Sequence, residues 1–274
     1  MIRTALLFGL LTGILLAIGY FFAGFIGMTV FLIMAFAINF LVYWYSDRIV
    51  LSMYRAKEVS KRDEPNLHKI VENLAKEANI PKPKIYLVDS KTPNAFATGR
   101  SPKHSAVAVT SSLLNTLEQD EIEGVLSHEI SHIKARDTLT SAIAATIAGA
   151  VAYIAQIAWW STLSSDRRRS EGNAIMLPLI ILAPLAATLV KLAISRSREY
   201  KADYTGAVIS KKPLSLASAL EKISKAVEKN PMKGNAATSH MFIVNPFTKD
   251  SFVNLFSTHP SIESRVARLK SMKV

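Results

Sequence analysis

The sequence of 274 residues contains no cysteine. A disulfide framework, a thiolate metal site and a cysteine nucleophile are therefore all excluded. Charged residues are also scarce, at 20% of the chain, whereas average soluble domains carry about 25%. The mean hydropathy is positive, at +0.22. A chain this apolar is not an ordinary basic nucleic-acid-binding domain, and any metal must be held by histidine and carboxylate ligands.

Acidic residues are few relative to basic ones: 33 Lys and Arg against 21 Asp and Glu give a net charge of +12. In a chain rich in apolar segments, such an excess typically faces the anionic cytoplasmic leaflet. We therefore expect the lipid bilayer, and no nucleic acid, as a partner. The basic residues concentrate in two regions, with 14 in residues 46–138 and 15 from residue 191 onward. Both regions are predicted to be cytoplasmic.

Four apolar stretches, at 5–22, 25–45, 139–160 and 174–194, have roughly the 20 residues that a membrane-spanning helix needs. The first could be a signal peptide, but the second follows it almost at once, which favours a helical hairpin. The third and fourth contain polar residues and prolines, so a shallow re-entrant hairpin stays open. The run Arg167–Arg169 between them also conflicts with an outside loop, because basic residues favour the cytoplasmic side.

These stretches divide the chain into four predicted parts. An N-terminal transmembrane hairpin spans 1–45, a second membrane hairpin spans 139–194, and a soluble domain is split between 46–138 and 195–274. The soluble domain is predicted to be mainly α with a small β-sheet. Hydrophobic spacing and helix-start signals predict helices from Pro65, from a capping box at Thr116–Gln119, from Pro213 and around 262–269. Two short strands, 85–88 and 106–110, flank a predicted loop at 93–100.

The segment His128-Glu129-Ile130-Ser131-His132 is the most informative in the chain. On a helix, His128 and His132 share a face and can bind one zinc ion. Glu129 then lies where it can take a proton from a water molecule that zinc has acidified. The alternative is a solvated helix with two incidental histidines. The pattern predicts a hydrolytic zinc site with one Zn²⁺ per chain.

A third zinc ligand is required, and Glu199 is the candidate, since the third stretch begins just after His132 and the fourth ends just before Glu199. A membrane hairpin would thus return the chain beside the two histidines. Asp203, one turn further, could accept a hydrogen bond from a ligand histidine. The alternative is that both acids pair with Arg196, Arg198 or Lys201 on a solvated face.

Together with these elements, Asn94-Ala95-Phe96-Ala97 upstream and His259-Pro260 with Arg265 downstream resemble the HtpX family. These are prokaryotic membrane zinc endopeptidases related to the CAAX prenyl proteases. The resemblance spans nearly the whole chain. It implies a gluzincin-like zinc metallopeptidase domain on a four-helix transmembrane anchor.

The resemblance also implies roles for individual residues. His128, His132 and Glu199 would be zinc ligands, with Glu129 as general base and then general acid. Asn94, Ala95, Phe96 and Ala97 would line the substrate cleft along an edge strand, to which a peptide can add through main-chain hydrogen bonds. Asn94 could instead be only a turn residue after Pro93.

The last two candidate site residues, His259 and Arg265, are given linked roles. His259 is a candidate donor to the oxyanion, with Arg265 orienting it or a neighbouring carboxylate. The alternative for His259 is a surface residue before a helix-starting proline.

The sequence thus predicts a multi-pass zinc endopeptidase of the prokaryotic cytoplasmic (inner) membrane, with its active site facing the cytoplasm. The resemblance implies that it clears misfolded or damaged membrane proteins and unfolded chains. Two rivals remain: a CAAX-type prenyl-peptide protease, and a non-catalytic zinc-stabilised membrane protein. A structural zinc site does not need a base such as Glu129 beside it, which separates the second rival from the hydrolase.

Overall fold

The computed structural model describes residues 2–144, 146, 196–231, 241–245 and 260–273. The helices are α1 (Ile2–Met53), α2 (Pro65–Glu77), α3 (Ser111–Thr116), α4 (Gln119–Ala135), α5 (Arg196–Ser210), α6 (Pro213–Lys229) and α7 (Ile262–Lys270). The strands are β1 (Lys57–Glu58), β2 (Lys84–Val88), β3 (Ala95–Ser101) and β4 (His104–Thr110). The described part is therefore mainly helical with one small mixed sheet.

Helix α1 forms the predicted N-terminal hairpin. Its helical geometry breaks at Ala23 and at Gly24, whose φ of 55° suits glycine. The two arms, Thr4–Phe21 and Ala23–Met53, are each long and apolar enough to cross a membrane. They are joined by a hydrogen bond from Asn39 Nδ2 to Thr12 Oγ1 at 2.9 Å. The described residues thus contain two of the four predicted spans.

The third and fourth stretches, and Arg167–Arg169 between them, lie outside the described residues except for 139–144 and 146, which are helical. The second arm of α1 does not end at residue 45 as predicted but continues to Met53. Its last turns pack onto the sheet, because Val50 and Leu51 are buried against Phe96 and Ala108. Helix α1 therefore runs directly from a candidate membrane span into the rest of the described fold.

The sheet has the strand order β1-β2-β4-β3, with β2 and β4 parallel and β3 antiparallel to β4. The predicted strands at 85–88 and 106–110 are confirmed as parts of β2 and β4. The prediction of a loop at 93–100 is wrong, since Ala95–Ser101 is strand β3 at the edge of the sheet. Pro93, Asn94 and Gly99 are typical of turns, but pairing with β4 overrides that preference.

The two faces of the sheet pack against different partners. One face, with Ala95 and Ala97, joins the core formed by α2, α4, α6 and α7. The other face, with Phe96, packs against the end of α1 and against Phe242. Edge strand β3 therefore lies between the helical core and the end of α1.

Candidate metal centre

Helix α4 presents the two histidines and Glu129. It begins at a capping box between Glu118 and Glu121, two residues later than the predicted Thr116–Gln119 box. The predicted box is wrong because Ser111–Thr116 already forms the short helix α3. Four residues apart on α4, His128 and His132 turn their Nε2 atoms toward one point, 3.2 Å from each other.

Helix α5 brings Glu199 to the same point. It lies against α4 at a glycine, where a Cβ on Gly206 would meet the backbone nitrogen of His128 at 2.9 Å. The hydroxyl of Ser131 also donates to the Ala202 carbonyl at 3.1 Å. This close approach places the Glu199 carboxylate oxygens 3.8 Å from Nε2 of His128 and 3.7 Å from Nε2 of His132.

The three residues form a compact and nearly buried donor set. One ligand atom from each of His128, His132 and Glu199 lies within 4.8 Å of the others. Tetrahedral zinc with bonds of about 2.0–2.1 Å places its ligand atoms roughly 3.3–3.4 Å apart. The two Nε2 atoms are 3.2 Å apart, and each lies 3.7 or 3.8 Å from a different oxygen of Glu199, so the three side chains are near that spacing. Two imidazole nitrogens and a carboxylate are also ligands that zinc prefers, so the residues fit a zinc ion.

Asp203 and Arg265 orient His128. Oδ1 of Asp203 lies 2.9 Å from Nδ1 of His128, so that ring nitrogen carries the proton and Nε2 is left as a ligand. The fully buried Arg265 donates to both carboxylate oxygens of Asp203, at 2.8 and 2.6 Å. Burial alone would raise the pKa of Asp203, but the Arg265 charge and hydrogen bonds hold that pKa well below its usual value.

His128 itself stays neutral. Burial lowers the pKa of His128 to about 4, although its contact with Asp203 acts in the opposite direction. A neutral imidazole is the form that binds a metal. From the sequence, Arg265 was expected to orient either His259 or a neighbouring carboxylate. The structure places it on a carboxylate, that of Asp203.

Asp137 is a site residue that the sequence analysis missed. Its Oδ2 lies 3.5 Å from Nδ1 of His132, and its Oδ1 accepts a hydrogen bond from Nη1 of Arg198 at 3.2 Å. Burial would raise the pKa of Asp137, but His132 and Arg198 together lower it. The available signal was its position just past the end of α4, two residues after Ala135, where the chain turns back toward the helix.

Glu129 is buried beside the ligands, with 3% of its surface exposed. Its carboxylate accepts a hydrogen bond from the backbone N–H of Ala97. Burial raises the pKa of Glu129 to about 7, and the nearby Glu199 charge adds to that effect. A carboxyl group with a pKa close to neutrality can both accept and return a proton, which is what a general base that later acts as a general acid must do.

These groups share one small cavity of about 30 Å³, which is large enough to hold a water molecule. Its lining consists of Ala97, His128, Glu129, His132, Thr138, Ser141, Glu199, Met241, Phe242 and Ile243. The segment Met241–Ile243 was not singled out from the sequence. No local pattern marks it, because only its tertiary contacts bring it to the cavity.

The four residues Asn94–Ala97 do not share one environment. Ala97 lines the cavity, whereas Asn94 is fully buried and its Nδ2 donates to the Val244 carbonyl at 2.7 Å. Phe96 faces the opposite side of the sheet, where its ring lies 5.4 Å from that of Phe242. His259, the expected oxyanion donor, lies outside the described residues.

Among known families, the chain matches the model of peptidase family M48 over residues 61–273. Among curated proteins, the chain is 56% identical over 275 residues to a protease HtpX homolog from Pyrococcus furiosus, covering 99% of this chain and 95% of that protein. It is 54% identical to the protease HtpX homolog of Pyrococcus abyssi, with the same coverage. A bacterial protease HtpX homolog, from Persephonella marina, is 50% identical over 278 residues, covering 99% of this chain and 96% of that protein.

Among solved structures, the crystal structure of S. mikatae Ste24p is similar, with a TM-score of 0.52 and 20% sequence identity. The similarity covers 98% of this chain and 65% of that one, so this chain spans just under two thirds of Ste24p. At this identity the likeness concerns the fold.

Proposed function

The chain belongs to peptidase family M48 and is a membrane metalloprotease, and we propose that it hydrolyses peptide bonds in misfolded or damaged membrane proteins at the cytoplasmic face of the membrane. One observation carries the proposal. Two imidazole nitrogens and a carboxylate converge in one cavity, with a second carboxylate, Glu129, beside them. A purely structural metal site has no use for a buried base of this kind.

His128, His132 and Glu199 would hold the zinc ion. When bound, zinc supplies Lewis acidity that lowers the pKa of a water molecule to about 7 and polarises a peptide carbonyl. Glu129 takes a proton from the attacking water and passes it to the nitrogen of the leaving amine. The Ala97 N–H orients the Glu129 carboxylate, and Asp203 and Asp137 orient the two imidazoles.

The position of the cavity supports substrates at the membrane surface. Helix α1 enters the soluble domain without a break, and the Arg100 guanidinium of β3 lies 4.5 Å from the Trp44 ring centroid on α1. Tyr54, just past the end of α1, contacts Phe96 and Phe242, and Phe242 lines the cavity. A catalytic cavity fixed to the end of a membrane helix can reach loops and tails of membrane proteins.

The test is a proteolysis assay coupled to metal analysis of the full chain in detergent. Wild type should cleave unfolded casein and contain one zinc per chain. Glu129→Gln should lower kcat at least about a hundredfold, the usual contribution of a general base, with the zinc content unchanged. Glu123→Gln, on the same helix and paired with Lys212, is the matched control and should behave as wild type.

Two outcomes would contradict the proposal. Turnover in Glu129→Gln equal to that of wild type would remove the base from the mechanism. Cleavage of a prenylated peptide but not of casein would instead favour the CAAX-type reaction, and the casein assay should therefore be run beside a prenylated peptide.

A further inference from the structure

The outer edge of β3 is the surface on which the proposed substrate would pair, and its hydrogen bonds can be counted. The N–H of Thr110 on β4 donates to the Asn94 carbonyl at 3.0 Å. This bond fixes which residues of β3 turn their main-chain groups toward β4 and which turn them outward. Phe96 pairs with Ala108 across the ladder, so the main-chain groups of Ala95 and Ala97 point outward. These outward groups are the positions that a peptide strand could use.

Most of this edge is already occupied. The Ala95 N–H donates to Oδ1 of Asn94 at 3.1 Å, and the Ala95 carbonyl accepts from the Ile243 N–H at 3.4 Å. The Ala97 N–H donates to Glu129. Further along, the Gly99 carbonyl accepts from Oγ1 of Thr138 at 2.8 Å. Within the described residues, the Ala97 carbonyl is left as the acceptor between these two occupied carbonyls.

The contact at Ala95 is firmly built. Ile243 is buried, and its own carbonyl accepts from Nη1 of Arg265 at 2.8 Å. The next carbonyl, of Val244, accepts from Nδ2 of Asn94 at 2.7 Å. The Phe242 ring packs on the ring of Tyr54 with 5.0 Å between centroids. Hydrogen bonds on one side and an aromatic contact on the other thus hold Ile243 against the edge strand.

The contact at Gly99 is equally well fixed. Thr138 is buried, with 3% of its surface exposed, and it begins the helical turn that leads to residue 144. Gly99 itself has a φ of +128°, and the pairing with β4 becomes irregular between Gly99 and Ser101. The strand therefore bends away at the same position where Thr138 blocks its carbonyl.

We infer that Ile243 and Thr138 are specificity-determining residues that limit the substrate strand to donating one main-chain hydrogen bond, to the Ala97 carbonyl. This inference rests on the proposed function, and it defines the substrate class more closely. From Ala95 to Gly99 the edge is only roughly 13 Å long, at about 3.3 Å per residue. A segment that is extended over a few residues and free to bend away on both sides fits this space. A long strand from a folded sheet does not.

The test is an N-methyl scan of a peptide substrate. A fluorogenic peptide that the zinc-loaded wild-type protein cleaves is resynthesised with each backbone N–H in turn replaced by N-methyl, and KM is measured for each. The scissile amide is identified from the product masses and set aside, because methylation there acts on the reacting bond. One remaining position should raise KM about tenfold, the effect of losing one hydrogen bond; the others should change KM less than twofold.

Thr138 supplies the matched pair of variants. Thr138→Val keeps the shape but removes the donor, so the Gly99 carbonyl becomes available to the peptide. A second sensitive position should then appear, two residues from the first, because alternate residues of a strand face the same edge. Thr138→Ser keeps the hydroxyl and should retain a single sensitive position.

The outcomes separate the inference from the proposed function. If wild type does not cleave the unmethylated peptide and casein, the proposed function fails. If it cleaves them, two or more sensitive positions in wild type would show that the edge is wider than inferred, and none would show that the peptide does not pair there. An unchanged pattern in folded, active Thr138→Val would remove Thr138 from its assigned role.

Discussion

Each ligand histidine is oriented by an acid whose charge is offset by an arginine. His128 contacts Asp203, which Arg265 holds through two hydrogen bonds. His132 contacts Asp137, which Arg198 holds through one. The first pair is buried and the second is partly exposed. The two imidazoles are therefore held by the same kind of acid–arginine pair in different surroundings. Substitutions in the two pairs should differ in how much they destabilise the protein or its metal site.

Asp137→Asn should lower zinc affinity about 10- to 100-fold, the usual effect of removing a partner that orients a ligand histidine. The amide carries no charge to hold the His132 N–H or to pair with Arg198. Zinc affinity is measured by competition with a coloured chelator, independently of proteolysis. Asp120→Asn, an exposed acid on α4 that pairs with Lys212, should leave zinc affinity unchanged. Equal affinities for both variants would show that Asp137 does not act on His132.

Arg265→Met should destabilise the metal-free protein by about 3–5 kcal/mol, because it leaves Asp203 charged, buried and unpaired. The free energy of unfolding is measured with denaturant in the presence of chelator, so that metal binding does not contribute. Arg268→Met on the same helix loses an exposed contact to the Tyr200 ring at 3.8 Å and should cost only about 0.5–1 kcal/mol. If the two losses were equal, the buried pair would not be contributing as its geometry implies.

At the scale of elements, α4 is the centre of the soluble domain, and two glycines let other helices approach it. A Cβ on Gly206 of α5 would meet the His128 backbone at 2.9 Å, and one on Gly124 of α4 would meet the Leu216 backbone of α6 at 2.8 Å. In both cases the added Cβ would meet backbone atoms, which cannot rotate away as a side chain can. Only the first of them lies beside the metal ligands.

Gly206→Ala and Gly124→Ala should therefore each destabilise the protein by about 1–3 kcal/mol, the usual cost of overpacking. Only Gly206→Ala should also weaken zinc binding, because it pushes α5, and with it Glu199, away from His128. Thermal unfolding and chelator competition are measured on both variants. Weaker zinc binding in Gly124→Ala to the same degree would mean that general loosening of α4, rather than the α4–α5 distance, sets the affinity.

Glu121 ties the start of α4 to α6. Burial would raise the pKa of its carboxyl, but Lys222, Ser218 and the Glu118 N–H donate to it at 2.6–2.9 Å and lower the pKa overall. Its stabilising contribution is fully present above the unfolded pKa of about 4.3 and is lost as pH falls through the lower folded value.

The free energy of unfolding of the metal-free protein should therefore fall between about pH 5 and about pH 3. In Glu121→Gln this fall should be smaller, and the variant should be less stable than wild type at about pH 6. Glu77→Gln, at the exposed end of α2, should keep the wild-type slope. A slope in Glu121→Gln identical to that of wild type would exclude Glu121 as a source of the acid sensitivity.

Sequence patterns predicted those elements whose hydrophobic spacing is local. Leu67, Ile70, Val71 and Leu74 mark the buried face of α2, and the hairpin arms of α1 are long apolar runs. The residue pattern at 93–100 predicted a loop because its residues are typical of a turn, and an edge strand was expected there only from the family resemblance. The pairing of β3 with β4 is a tertiary contact that the local pattern does not encode. Asp137 and Ile243 were missed for the same reason, since their roles arise from contacts with distant segments of the chain.

At the scale of the whole molecule, the proposed zinc ligands join α4 to α5, and α7 supports them through Arg265. These helices are separated in sequence by long intervals, so a bound ion would add a further link to the packing and hydrogen bonds that already join them. Zinc at about a hundredfold above its Kd should raise the free energy of unfolding by about 2.7 kcal/mol. Glu129→Gln should keep this gain and Glu199→Gln should lose most of it. An equal gain in both variants would remove Glu199 from the ligand set.

The lack of cysteine allows a direct test of how the molecule lies in the membrane, since any labelling by a maleimide must come from an introduced residue. Ala23 is exposed at the break between the arms of α1, and Lys103 is exposed in the turn between β3 and β4. The distribution of basic residues predicts that the first position faces outward and the second faces the cytoplasm. A membrane-impermeant maleimide should therefore label Ala23→Cys in intact cells and Lys103→Cys only after the cells are opened. Labelling of Lys103→Cys in intact cells would place the metal centre on the outer side and exclude cytoplasmic tails and loops as substrates.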